Sequence, residues 1–274
     1  MKGRLSLNII RQIVLFGFTL LMFLPFLWIF LSSFKTNIEI FQIPFKWLPS
    51  TWHFENYLVP FQDNSFALFF FNSLGVAIVV TLCNLLFDSL VGYALALFKF
   101  PGRTILFFFI LGTMMLPVQV IIVPLFLTVK SFGWLNSYLA LTVPGFMSAF
   151  GVFLMRQWFL SFPKELIDAA RIDGAGELKI FFKIVLPTAG PALGALAIFT
   201  FMANWDSFLW PLVVVNKEQF MTLPLGISAF VGQYQTAYNQ LMAVSIVGML
   251  PILIVFLLFQ KQFVQGIAST GTKG

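Results

Sequence analysis

Read from the N-terminus, the chain alternates long intervals almost free of charge with short polar passages. Apolar runs at about 13–31, 72–98, 104–128, 137–159, 189–215 and 241–259 each approach or exceed the roughly 20 residues with which a helix crosses a hydrocarbon core of about 30 Å. Runs such as FFFILGTMMLP and LPILIVFLLF are apolar on every face, and the period-two alternation of a transmembrane barrel is missing. The pattern predicts an all-α integral membrane fold of six spans across residues 13–263, between an N-terminal segment at 1–12 and a tail at 264–274. The first run is longer than a signal-peptide core and no small-x-small cleavage site follows it, so it is expected to stay as a span.

The polar passages differ in kind. Between Lys35 and Phe71, Pro44 and Pro49 exclude long helices, and Trp47, Trp52 and Tyr57 suit a headgroup interface, so this loop is expected along the outer membrane surface. Lys99 to Arg103, KFPGR, is short enough to join the second and third spans as a hairpin. The passage from Ser161 to Pro187 reads SFPKELIDAARIDGAGELKIFFKIVLP. Lys164 to Ile172 are helix formers behind Pro163, whose missing N–H does no harm in a first turn. Asp173, Gly174, Ala175 and Gly176 break that helix. A second segment starts at Glu177, with Leu178, Phe181, Phe182 and Val185 apolar and Lys179 and Lys183 one turn apart, and Pro187 is expected to close it.

Composition agrees with the spans: 59% of the 274 residues are hydrophobic, 9% are charged, and mean hydropathy is +0.95. The net charge of +6 is distributed for membrane topology rather than for nucleic acid. With the N-terminus inside, Lys2, Arg4, Arg11, Lys99, Arg103, Arg156, Lys164, Arg171, Lys179, Lys183, Lys261 and Lys273 fall inside, against Lys35, Lys46, Lys130 and Lys217 outside. That imbalance puts both termini and the Ser161–Pro187 passage in the cytoplasm. The lone Cys83 is expected as a small apolar filler. The lone His53, with no second His or Cys beside it, gives no metal site.

Asp168-Ala169-Ala170, three residues, Gly174, nine residues, then Ile184-Val185-Leu186-Pro187 resembles the EAA loop of ABC importer permeases, with Asp in place of the leading Glu. FFNSLGVAIVVT, GYALALFKFPGR, WDSFLWPL and FVQGIASTGTKG extend the resemblance to the carbohydrate-uptake branch, specifically the shorter permease of the maltose type. The resemblance implies a type I ABC importer permease fold in a bacterial or archaeal plasma membrane. It implies a coupling helix seated in a cleft of a cytoplasmic ABC ATPase dimer, with Glu165, Asp168, Ala169, Ala170, Asp173 and Gly174 at the contact. It further implies a second permease, favoured as a different chain, an extracytoplasmic solute-binding protein, and a sugar, polyol or glycoside as cargo. Ala169 and Ala170 would offer a flat surface for close approach. An amphipathic helix lying on the membrane surface is the alternative for this passage.

Two acidic groups sit inside spans, Asp88 and Asp206. Each costs at least about 2.5 kcal/mol at mid-bilayer and so should face protein or water. Asp206 lies in ANWDSFLWPL, where Asn204, Trp205, Ser207 and Trp210 could bond hydroxyls and cover the apolar face of a sugar ring, and Pro211 could free backbone carbonyls. The alternative is that these polar groups join helices and the tryptophans anchor the interface. Asn84 and Asp88, with Ser89 adjacent, read as structural or gate-lining. In the tail, Gly266, Gly271 and Lys273 superficially match a phosphate loop, but the spacing is wrong and no helix follows. The chain is therefore expected to bind no cofactor and to hydrolyse no ATP, with ATP and Mg held by the partner ATPase, toward which the tail would reach. A secondary transporter or channel working without an ATPase is the runner-up; few ionisable groups in the spans are available for an ion relay.

Overall fold

The structure, a computed structural model, describes residues 2–62, 65–233 and 237–271, and every regular element among them is helical. The chain divides into two units, residues 1–67 with 227–250, and residues 68–226 with 251–274. In the first unit, α1 (Lys2–Ser32) is exposed from Ile10 to Leu27, as a helix among lipid tails would be. The following loop folds back on the end of α1 through α2 (Asn37–Ile40) and α3 (Glu55–Gln62). Its hub is Asn56, whose side-chain amide donates to Ser33 O and Lys35 O, each at 2.9 Å, and whose Oδ1 accepts from Asn239 Nδ2 at 2.7 Å. Glu39 accepts from Ser50 N at 2.6 Å, and Tyr57 and Ser33 share a hydroxyl bond of 2.6 Å. His53 bonds Thr51 and Glu55 at the surface, and no cluster of metal-ligating residues forms among the described residues.

The second unit is built around α4 (Phe66–Leu97), whose aromatic FALFFF start brings the helix in six residues before the expected Asn72. The third apolar run is not one continuous helix. It forms α5 (Arg103–Thr113) and α6 (Val118–Ser131), which meet at a 102° bend across Met114–Pro117. Hydropathy runs on through that segment, but Pro117 lacks the N–H that would continue the ladder. The fourth run is likewise interrupted, into α7 (Tyr138–Thr142) and α8 (Ala149–Leu160), around Pro144 and Gly145.

After α9 (Lys164–Ile172), the helical path from α10 (Glu177–Ile180) does not stop at Pro187 as expected. The backbone widens to a π turn at Phe181–Val185, with Leu186 N donating to Phe181 O, then tightens to a 3₁₀ turn at Leu186–Ala189. These shifts of hydrogen-bond register carry the chain past the donor missing at Pro187. The fifth span therefore starts at Glu177, continues as α11 (Gly190–Trp205) and breaks at Asp206, before α12 (Leu209–Val214). A further helix, α13 (Leu223–Gln233), stands where a polar loop is expected; Pro224 sits in its first turn and starts the helix. The last helix, α14 (Tyr238–Gly271), continues through residues read as tail. Gly266 and Gly271 thus lie in helix, since one interior glycine costs only about 1 kcal/mol, and Lys273 is outside the described residues. Among the described residues five helices are long and apolar enough to cross a membrane, and the bent pair α5–α6 would make six.

Close approach of α4 and α8 depends on glycine. A Cβ on Gly151 would lie 1.9 Å from Asp88 Oδ2, and one on Gly92 would lie 2.8 Å from Arg156 N, whereas nothing lies within 4 Å of one on Gly75. Gly151→Ala is expected to lower the thermal unfolding midpoint of the detergent-purified chain by several degrees, from overpacking of about 1–3 kcal/mol. Gly75→Ala is expected to leave it unchanged or raise it. Equal midpoints for the two variants would contradict the packing described.

Candidate functional site: a held turn and three broken helices

Two regions of the second unit collect the residues that carry chemistry. At one end, α9 packs through Ile167 and Ala170 against a core of Tyr93, Phe159, Ile180, Phe181 and Val185. The turn after it is set by Gly174 at φ +76°, a conformation open to glycine at little cost. Ala175 N closes the turn on Ala170 O at 3.0 Å. A chain of polar contacts then ties the passage to the bundle. Arg171 donates to Asp168 at 3.3 Å and to Glu177 at 2.7 Å, and Tyr93 on α4 donates to Glu177 at 3.2 Å. The bond to Glu177 holds the Arg171 guanidinium above its ordinary range.

One face of α9 is thereby fixed and the other is free: Glu165, Leu166, Asp168, Ala169, Ile172 and Asp173 are exposed, Ile172 at 87%. The alanine pair does not act together as expected. Ala169 faces out while Ala170 is buried in the core, because successive helical residues are turned about 100° from one another.

Toward the other end of the unit, α4 grips the interruption between α7 and α8. Asn84 Nδ2 donates to Gly145 O and to Val80 O. The fully buried Asp88 accepts from Ser148 N at 2.9 Å and from Ser148 Oγ at 2.8 Å, while Ser148 Oγ accepts from Gly151 N as the N-cap of α8. Asn84 and Asp88 thus hold a helix break. A carboxylate beside a helix N-terminus also meets the positive end of the helix dipole.

Next to this break is a cavity of about 200 Å³, lined by Gly145, Asn204, Ser207, Trp210 and Thr222 and walled by Val76 and Leu141. Asn204 spends its N–H on Thr200 O at 2.8 Å, which leaves Oδ1 to accept, and Trp210 Nε1 donates to Ala140 O at 2.8 Å. Two residues expected with them are elsewhere. Trp205 is 3% exposed, stacked on Phe201 and edge-on to Phe70, so its indole face is covered and cannot carry a sugar ring. Asp206, at the break itself, is exposed and does not line the cavity. Thr222 and Gly145 were not legible as site residues, since a threonine after a 3₁₀ turn and a glycine after a proline carry no motif.

Residues 88–269 match the family model described as "Binding-protein-dependent transport system inner membrane component", a stretch that starts at Asp88 and includes α9 and the turn after it. The chain is 38% identical to the arabinooligosaccharides transport system permease protein AraQ of Halalkalibacterium halodurans, over 100% of both chains. It is 34% identical to the sn-glycerol-3-phosphate transport system permease protein UgpE of Yersinia enterocolitica, over 98% of this chain and 99% of that one. In fold it is similar to a chain of a bacterial ABC transporter involved in the import of the acidic polysaccharide alginate, with a TM-score of 0.81 and 24% identity over 96% of this chain and 98% of that chain.

Removing the Asp88 carboxylate would leave the Ser148 N–H and hydroxyl without their acceptor inside the bundle. Asp88→Ala is expected to cost at least about 2 kcal/mol, read as a lower unfolding midpoint in detergent. An unchanged midpoint would show that water or another group takes the carboxylate's place.

Proposed function

The chain belongs to the family of binding-protein-dependent transport system inner membrane components, and we propose that it forms half of the passage for a sugar or related polyol in an ATP-driven importer. Its neighbours in the assembly are a second permease of different sequence, an extracytoplasmic solute-binding protein, and a cytoplasmic ATPase dimer that binds ATP and Mg. The charge imbalance between the two sides supports an inside N-terminus and C-terminus, with α9 in the cytoplasm. The relatives named for arabinooligosaccharides support a carbohydrate cargo.

The observation that carries the coupling role is the division of α9 into two faces. Ile167 and Ala170 are anchored in the bundle, while Leu166, Ala169 and Ile172 are exposed and apolar on an otherwise polar passage. A helix floating on lipid would need no such anchor. A lever that passes the closure of an ATPase to the spans needs one side rigidly held and the other free to dock, and α9 meets both conditions. The path for solute runs by the breaks of the spans, where Asn204, Asp206, Ser207 and Trp210 lie and Asn84 and Asp88 hold the adjoining backbone. Gly266 and Gly271, in the last turns of α14, lie on the ATPase side.

Single cysteines separate the two faces. In the assembled complex, Ala169→Cys is expected to crosslink to the ATPase with a short bifunctional reagent and to lose that crosslink, or change its yield severalfold, when ATP is bound. Ala170→Cys is expected to stay unreactive. Crosslinking from Ala170 and not from Ala169, or no ATPase co-purifying with the tagged chain, would defeat the proposal.

A further inference from the structure

The end of the second unit that carries α9 also carries cations that no carboxylate answers. Lys99 and Arg103 line a hollow formed by residues 99–105, the turn from α4 into α5. Lys99 also lines a neighbouring hollow with Lys164, Ile167, Asp168 and Arg171, along one face of α9. The one carboxylate in either lining is Asp168, and it accepts from Arg171 at 3.3 Å. Behind the turn, Arg156 of α8 lies over the Phe107 ring with its Cζ 3.8 Å from the centroid, near enough to Arg103 to feel its charge. The two guanidiniums donate to backbone carbonyls, Arg103 to Phe98 O at 2.9 Å and Arg156 to Leu95 O at 3.3 Å. Among the described residues, Lys99, Arg103 and Arg156 form no ion pair. Two half-buried guanidiniums side by side repel each other, and an anion that meets both removes that cost.

The kind of anion follows from α5. Its inner face packs through Phe107 on Leu95 and Val152. On its outer face, Ile105, Phe108 and Phe109 stand at i, i+3 and i+4 and are exposed, Phe109 at 74%. Cations at the head of the helix, with bare aromatic and branched side chains directly after them, repeat the order of a phospholipid, headgroup and then acyl chains. A soluble phosphate matches only the first part of that order.

We infer that the α4–α5 turn is a binding site for an anionic phospholipid, with its phosphate between Lys99 and Arg103 and its acyl chains along Ile105, Phe108 and Phe109. Basic pockets between membrane helices hold acidic headgroups in other proteins. Arg156, behind Arg103, adds charge and ties the site through Phe107 to the core of the bundle. A zwitterionic lipid brings its own cation beside the phosphate and gains less from the cluster. The inference does not depend on the solute or on the importer reading.

The test uses the full-length chain with the subunits that purify with it, delipidated in detergent and titrated with dioleoylphosphatidylglycerol or dioleoylphosphatidylcholine. Phosphatidylglycerol is expected to raise the thermal unfolding midpoint by several degrees and to stay bound in native mass spectra, and phosphatidylcholine to do neither. Lys99→Gln combined with Arg103→Gln should remove at least half of that rise and lower the retained lipid severalfold. Lys99 is exposed, so Lys99→Gln alone, which should lose part of the rise, keeps the test open if the double variant fails to fold. Lys179→Gln combined with Lys183→Gln removes the same charge from exposed positions that line neither hollow, and should keep the full rise. Glycerophosphoglycerol, the headgroup without acyl chains, should give no rise. A full rise in the Lys99 and Arg103 variants, an equal loss in the Lys179 and Lys183 variant, or equal rises with the two lipids overturns the site. A rise from glycerophosphoglycerol matching that from the lipid, or a short crosslink from Lys99→Cys to a co-purifying subunit, overturns the lipid as its occupant.

Discussion

The second unit depends on one constraint: inside a bilayer each backbone N–H and C=O needs a partner from the protein. Continuous helices meet it by themselves. This chain interrupts three of its apolar runs, and each interruption has to be supplied from outside its own helix or by a change of hydrogen-bond register. The best-supplied one is held by α4, with Asn84 on Gly145 O and Asp88 on Ser148 N and Oγ. An acidic residue in a membrane span is commonly read first as a transport group. Here its lone pairs are used to end one helix and start another, and Gly151 gives it the room to do so.

The same helix serves the other end of the unit. Tyr93, five residues beyond Asp88, packs on Phe181 and donates to Glu177, which in turn holds Arg171. A displacement of α9 would therefore be felt along α4, and α4 holds the interruption beside the cavity. This arrangement links the two regions physically without requiring any single long-range contact. A core of aromatic and branched side chains anchors one side of α9.

The order of the elements also explains why breaks occur where they do. Pro117 and Pro144 fall within apolar runs and Pro187 just before one, yet only the first two interrupt their helices. At Pro187 the chain passes through a π turn and a 3₁₀ turn instead and keeps its direction.

Most of the architecture was already written in the sequence. Hydropathy alone determined that the chain is helical and membrane-embedded, because a helix that is apolar all round has no other solvent. The helix-turn-helix of Lys164 to Ile180 followed from local chemistry, with helix formers on either side of Asp173-Gly174. Tertiary structure alone decided the rest, for reasons that act between segments. Whether Asp88 met solute or Ser148, whether Ala169 or Ala170 faced out, and whether the Trp205 indole was free or covered by Phe201 all depend on what packs opposite. The cavity with Thr222 is the clearest case. Its walls come from positions as far apart as Val76 and Thr222, and no periodicity along one helix can report a space enclosed by several.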